Sequence, residues 1–125
     1  VNLTIKTRVH QEAVAVIEVA GELESANCDD LREEIAAQVS DARTLLIVDL
    51  REVSFIDSTG LGALVGGLKR TREKGGRLDI VCHQSRLLRI LEISGLVRAF
   101  AIYETLEEAL QAAEDSVPCS TEVEN

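Results

Sequence analysis

The residues best placed to do chemistry in this chain form one run, Phe55-Ile56-Asp57-Ser58-Thr59-Gly60-Leu61-Gly62. A hydroxyl pair stands where a buried apolar strand hands over to an amphipathic helix. That spacing sets Ser58 at a helix N-terminus, exposed and flanked by small residues. Such a serine can serve as a helix cap, as a phosphate acceptor, or as both, and Asp57 can equally supply the cap. The glycines add to the question. Gly60, Gly62, Gly66 and Gly67 all fall inside the expected helix, and each costs about 1 kcal/mol relative to alanine. Either they let the helix pack close to the sheet, or they leave its first turn bare for a partner.

Catalytic arrangements fail one by one. There is no G-x-x-x-x-G-K-[ST], and Gly60-Leu61-Gly62 lacks the last glycine of G-x-G-x-x-G. Ile-Asp-Ser-Thr-Gly is not a G-x-S-x-G elbow. His10 and His83 fall in a turn and at a strand end, where solvated histidines are expected. Asp29, Asp30, Glu33 and Glu34 read as a solvated helix face. Nothing joins a nucleophile to a base and an oxyanion site, so no catalytic residue, metal site or cofactor is expected. Asp49 and Asp57, following a buried strand, would also suit an aspartate-phosphorylated receiver, with Asp57 as acceptor. Receivers draw further acids from after the first strand; here that strand runs into His10-Gln11-Glu12 and a hairpin.

The elements that must hold Ser58 follow from periodicity. Leu3, Ile5 and Val9 alternate with polar residues as a half-buried strand, and Ala13 to Ala20 forms a second, more apolar one. The short link between them implies an antiparallel hairpin. Gly21-Glu22-Leu23-Glu24 leaves that strand, and Ser25 or Asn27 can cap a helix whose stripe is Cys28, Leu31, Ile35 and Val39. Leu45 to Val48 reads as a short buried strand, Asp49 to Ser54 as a connecting stretch. The Ser58 helix runs to about Lys74, with Leu61, Leu64, Val65 and Leu68 buried and Gly75-Gly76 as its stop. A strand over Leu78 to Cys82, a helix over Ser85 to Ser94, a strand over Phe100 to Tyr103 and a helix opened by the capping box Thr105-Leu106-Glu107-Glu108 complete the order. Leu106, Ala109, Leu110 and Ala113 give that last helix its stripe.

The order β-β-α-β-α-β-α-β-α predicts an α/β fold: one domain over residues 1–116, with a mixed sheet, an opening antiparallel hairpin and about four helices. Residues 117–125 read as an acidic, disordered tail. The chain has 125 residues and a net charge of −9, enough length for a core and the wrong charge for nucleic acid or an anionic membrane. Phe55, Phe100 and Tyr103 are its only aromatics, so the core must be aliphatic. No apolar run reaches the length of a membrane span and no signal peptide is visible, so a cytoplasmic location is expected. Cys28, Cys82 and Cys119 form no C-x-x-C pair and read as free thiols, with a redox role the alternative. There is no methionine, so Val1 is a trimmed end or an unusual start.

With these residues in hand, the segment Phe55-Ile-Asp-Ser-Thr-Gly-Leu-Gly-Ala-Leu resembles the phosphorylation motif of bacterial anti-sigma factor antagonists of the STAS-domain family. Gly21-Glu22-Leu23 resembles the family's G-E-L/I-D signature. Val48-Asp49-Leu50 with Val53 and Phe55 is similar to its third-strand region, and Ile93-Ser94-Gly95-Leu96 to the close of its third helix. The stretch Val65-Gly66-Gly67-Leu68-Lys69-Arg70 is most similar to actinomycete members. The resemblance implies a partner switch. Unphosphorylated members bind an anti-sigma factor, often itself a serine kinase, and free the sigma factor; phosphorylation releases them, and a PP2C-type phosphatase resets the cycle. On this sequence the acceptor falls on Ser58, with Asp57, Thr59, Gly60 and Gly62 as its docking surroundings. Glu22, Glu24 and Ser25 form a second contact region. Glu24 stands where the family usually has aspartate. A constitutive STAS scaffold, with Ser58 only a cap, is the alternative.

Overall fold

The computed structural model describes residues 3–116. The acidic tail expected over 117–125, Cys119 within it, and Val1 lie outside the described residues. Five strands lie in one sheet in the order β1-β2-β3-β4-β5. β1 (Leu3–Gln11) and β2 (Val14–Leu23) make the antiparallel hairpin; β3 (Leu45–Ile56), β4 (Arg77–Val81) and β5 (Ala101–Tyr103) each add in parallel. Between them run α1 (Cys28–Ser40), α2 (Ser58–Glu73) and α3 (Ser85–Ile93), and α4 (Leu106–Ser116) follows β5. A mixed α/β sheet with an opening hairpin and four helices is thus the fold the sequence predicts.

The core has two sides because a strand's side chains alternate. Ala15, Ile17, Val19, Leu46, Val48, Leu50, Leu78 and Ile80 point to one face and meet α1, α2 and α3. Val14, Val16, Leu45, Ile47 and Val81 point to the other and meet Ala109 and Ala113 of α4. Beyond the reach of α4 this second face becomes polar. There Thr4, Lys6, Glu18, Asp49, Arg51 and Glu52 line a surface depression of about 310 Å³.

The structure corrects four local expectations. β3 does not stop at Val48: it continues through Asp49–Ser54 to Ile56. Glu18 and Ala20 of β2 pair with Asp49 and Glu52 of β3, and Gly21 and Glu22 pair with Val53 and Phe55. Each step inserts an extra residue into β3, a bulge that breaks the alternation by which a strand is read. β2 likewise runs through Gly21, at φ 110, to Leu23, a backbone position that favours glycine. In α2 the buried stripe is Gly60, Ala63, Leu64, Gly67, Leu68 and Thr71, while Leu61 and Val65 are half-buried. Finally, no side chain caps α1. Asn27 occupies the capping position, but its amide turns back to bond the loop before it.

Two arginines neutralise carboxylates buried in the sheet. Asp49 is held by Arg51 through several contacts, Nη2 to Oδ2 at 2.9 Å among them, and Asp79 by Arg77 at 2.8 Å. At α4, Thr105 Oγ1 accepts from the Glu108 N–H at 3.1 Å, while the Glu108 carboxylate accepts from the Glu104 N–H rather than from Thr105 itself. The expected capping box therefore forms with a one-residue offset in its second bond.

Candidate functional site

Asp57 follows the carboxyl end of β3 and is the N-cap of α2: its Oδ1 accepts from the Gly60 N–H at 2.8 Å. Ser58 is the first helical residue, exposed, and its hydroxyl has no partner among the described residues. Of the roles open to Ser58 from sequence, the cap therefore belongs to its neighbour. A helix N-terminus concentrates free N–H groups and the positive end of the dipole, so it tolerates added negative charge.

Asp57 also joins the two candidate regions. Its second oxygen, Oδ2, accepts from the Ser25 N–H at 3.2 Å, and its own N–H donates to the Leu23 carbonyl at 3.2 Å. The loop it holds is stiffened from within. Asn27 Oδ1 accepts from the Glu24 N–H at 3.0 Å, and Asn27 Nδ2 donates to the Glu22 carbonyl at 2.8 Å. Glu22 and Ser25 are exposed and Glu24 half-buried. Glu22, Glu24, Ser25, Asp57, Ser58, Thr59, Gly60 and Gly62 thus gather at one end of the sheet. That is the end where open α/β sheets present their sites.

The glycines divide by surroundings. A Cβ on Gly60 would meet the Leu23 carbonyl oxygen at 2.7 Å, and one on Gly67 would meet Ile35 Cδ1 at 2.6 Å. These two permit close packing. A Cβ on Gly62 would meet only Arg32 Nη2, at 3.7 Å, and one on Gly66 nothing within 4 Å. These two leave the outer face of α2 bare. The close-packing reading holds for Gly60 and Gly67.

Two residues near the site are not among the contact residues expected from sequence, although Phe55 opens the motif run. Phe55 is 45 % exposed and pairs with Glu22 across the sheet; an aromatic so placed is a ready anchor for a partner. Arg32, on α1, bonds Asp29 at 2.9 Å beside Gly62. An apolar residue at a strand's end reads as core, and an arginine on a polar helix face reads as solvated, so neither was expected to take part in contacts.

The remaining candidates lie elsewhere or are occupied. Asp49 and Asp57 are eight positions apart along β3, roughly 20 Å at ~3.3 Å per residue once the two bulges are discounted. Both Asp57 oxygens are engaged by N–H groups and Asp49 by Arg51. His10 pairs with Glu114 at 3.2 Å at the hairpin end of the sheet, away from Ser58. His83 is exposed past β4. Cys28 and Cys82 are free and buried, and burial pushes the Cys82 thiol up. Among the described residues no group of three or more His, Cys, Asp or Glu side chains could hold a metal, and no helix is long and apolar enough to cross a membrane.

Comparison with known proteins bears on the family and the fold. The STAS domain model matches residues 4–109. The anti-sigma-B factor antagonist of Listeria monocytogenes is 34% identical over 95 residues, covering 76% of this chain and 83% of the relative. The anti-sigma-B factor antagonist of Staphylococcus aureus is 34% identical over 106 residues, 85% of this chain and 97% of the relative. The crystal structure of an anti-sigma factor antagonist from Mycobacterium paratuberculosis superposes with a TM-score of 0.83 at 30% identity, covering 91% of this chain and 96% of that one. With the family model spanning both the sheet and the Ser58 helix, and with these relatives matched over three quarters or more of this chain, the chain belongs to the STAS-domain family.

Proposed function

We propose that this protein is an anti-sigma factor antagonist that binds an anti-sigma factor bearing serine-kinase activity, and so frees a sigma factor, until Ser58 is phosphorylated. The observation that carries the reading is the position of Ser58: exposed, its hydroxyl unengaged among the described residues, one residue beyond the aspartate that ties the Glu22–Ser25 loop to α2. Its hydroxyl stands beside a surface built from the β2–α1 loop and the start of α2.

The chain is the substrate of this chemistry. ATP and Mg²⁺ belong to the kinase. The Ser58 hydroxyl gives up its proton to a base of the kinase, Oγ bonds the γ-phosphorus, and the bond to ADP breaks. A PP2C-type phosphatase reverses the state by hydrolysis. Phosphorylation adds about −1.5 to −2 charges at a helix N-terminus that tolerates them, so the fold persists. The docking surface does not: a partner fitted to a neutral hydroxyl meets a bulky dianion beside the Asp57 carboxylate. The names of the relatives, all anti-sigma factor antagonists, support the same reading.

The test is to incubate the protein with candidate anti-sigma kinases and ATP and to map phosphate by mass spectrometry. Phosphate on Ser58, absent from Ser58→Ala, is expected. Ser58→Asp binding its partner at full affinity would count against the switch. Partner binding with no transfer to Ser58 would instead identify a constitutive interaction module, and acid-labile phosphate on Asp57 a receiver-like one.

A further inference from the structure

α1 and α2 lie side by side and run in the same direction. Arg32 Nη2 sits 3.7 Å from the position of a Gly62 Cβ, and, further along both helices, Ile35 Cδ1 sits 2.6 Å from that of a Gly67 Cβ. Followed back one turn, the first residues of α1 stand beside Ser58. The bond from the Ser25 N–H to Asp57 Oδ2 fixes the same alignment from the loop. Arg32 reaches toward that end: its Nη1 donates to Asp29 Oδ1 at 2.9 Å and to Cys28 Sγ at 3.4 Å. Gly62 lies four residues after Ser58, hence on the same face of α2 about 6 Å below it. Having no side chain, it leaves the space between Arg32 and Ser58 open.

The guanidinium is held loosely. The Arg32 and Asp29 side chains are 43% and 77% exposed, and an ion pair so open to water is easily exchanged. A phosphoryl group on Ser58 would stand one helical turn from the position this cation touches and carry about twice the charge of Asp29. Arginine's planar fork also suits phosphate, which it binds through paired N–H groups. The acidic groups at this end include Asp57 at the cap, Asp29 on α1 and Glu24 in the loop that Asp57 holds.

We propose that Arg32 is the internal counter-ion of phosphorylated Ser58, leaving Asp29 to bind the phosphate. This rests on Ser58 being the acceptor. Its consequence is that modification rewrites the surface in two places: a hydroxyl on α2 becomes a dianion, and Asp29 on α1 loses its cation. Release of the partner is then driven from both helices.

The test uses full-length protein with phosphoserine installed at position 58 during translation, so that no kinase is needed. The second phosphate ionisation is followed by ³¹P NMR titration in the wild type, in Arg32→Gln and in Arg32→Lys. A midpoint about one pH unit lower in the wild type than in Arg32→Gln is expected, because a nearby cation favours the dianion. Arg32→Lys should retain part of that shift. Unphosphorylated Arg32→Gln should unfold at the wild-type midpoint, which separates lost charge from lost structure. An unchanged ionisation midpoint in Arg32→Gln would overturn the role of Arg32. The two proposals fail separately: absence of kinase labelling at Ser58 removes the switch and leaves this titration intact.

Discussion

The four glycines of α2 offer a graded test of the packing around the site. Gly66 is exposed, lies inside the helix and has nothing within 4 Å of an added Cβ. Gly66→Ala should therefore gain nearly the full difference in helix propensity, about 0.9 kcal/mol. For a domain of this length that raises Tm by roughly 3–4 °C. Gly62→Ala should gain slightly less, because its methyl group would only touch Arg32 at an ordinary contact distance. Gly67→Ala sets the propensity gain against Ile35 Cδ1 at 2.6 Å, the far end of a side chain that can rotate, and should fall near or slightly below wild type. Gly60→Ala has no such escape. Its Cβ would lie 2.7 Å from a backbone oxygen of Leu23 and 3.0 Å from Ile56 and Leu23 side-chain carbons. The Leu23 carbonyl also accepts from the Asp57 N–H, so the strand and helix must separate at the site itself. A net loss of about 1–2 kcal/mol is expected after the propensity gain is credited. Thermal and urea unfolding of the four single variants decide the matter. The stability order should be Gly66→Ala, Gly62→Ala, wild type, Gly67→Ala, Gly60→Ala. A Gly66→Ala variant no more stable than wild type, or a Gly60→Ala variant without cost, would refute the division of these glycines into bare and packed pairs.

Other expected outcomes follow from the same contacts. Asp57→Ala should lose about 1–2 kcal/mol of stability, because it removes the cap of α2 and the tie to the Ser25 loop; hydrogen exchange at the Ser25 amide should accelerate, and Asp57→Asn should restore most of the stability. Phe55→Ser should leave the unfolding midpoint nearly unchanged, since the ring is already 45 % exposed, yet weaken anti-sigma factor binding at least about tenfold in calorimetry if the ring anchors the partner. Arg51→Ala should cost about 2 kcal/mol by urea unfolding, because Asp49 stays buried without its guanidinium; the value falls below that of a fully buried pair because the Arg51 side chain is 32% exposed. In the native protein Cys28 and Cys82 should resist alkylation and become reactive only on unfolding, since both are buried; rapid native labelling of either would contradict their placement.

The sequence by itself determined the element order, the sheet's mixed character and the place of Ser58 at a strand-to-helix junction. Those rest on local periodicity and local chemistry: strand alternation, helical spacing, and glycine or cap residues at element ends. It also excluded the catalytic motifs, which are patterns of residue type. It did not show that β3 extends to Ile56, because the two bulges shift its alternation and only pairing with β2 reveals them. It placed Leu61 and Val65 in the core of α2 and overlooked Gly60 and Gly67, because an apolar pattern counts side chains and close backbone contact needs their absence. Most of all, the sequence left open whether Ser58 or Asp57 caps α2. The tertiary structure gave the cap to Asp57, since that carboxylate can reach the Gly60 and Ser25 N–H groups at once only when the β2–α1 loop is folded against the start of α2. A contact across 32 residues of chain is set by the packing of two elements and leaves no trace in the spacing of either.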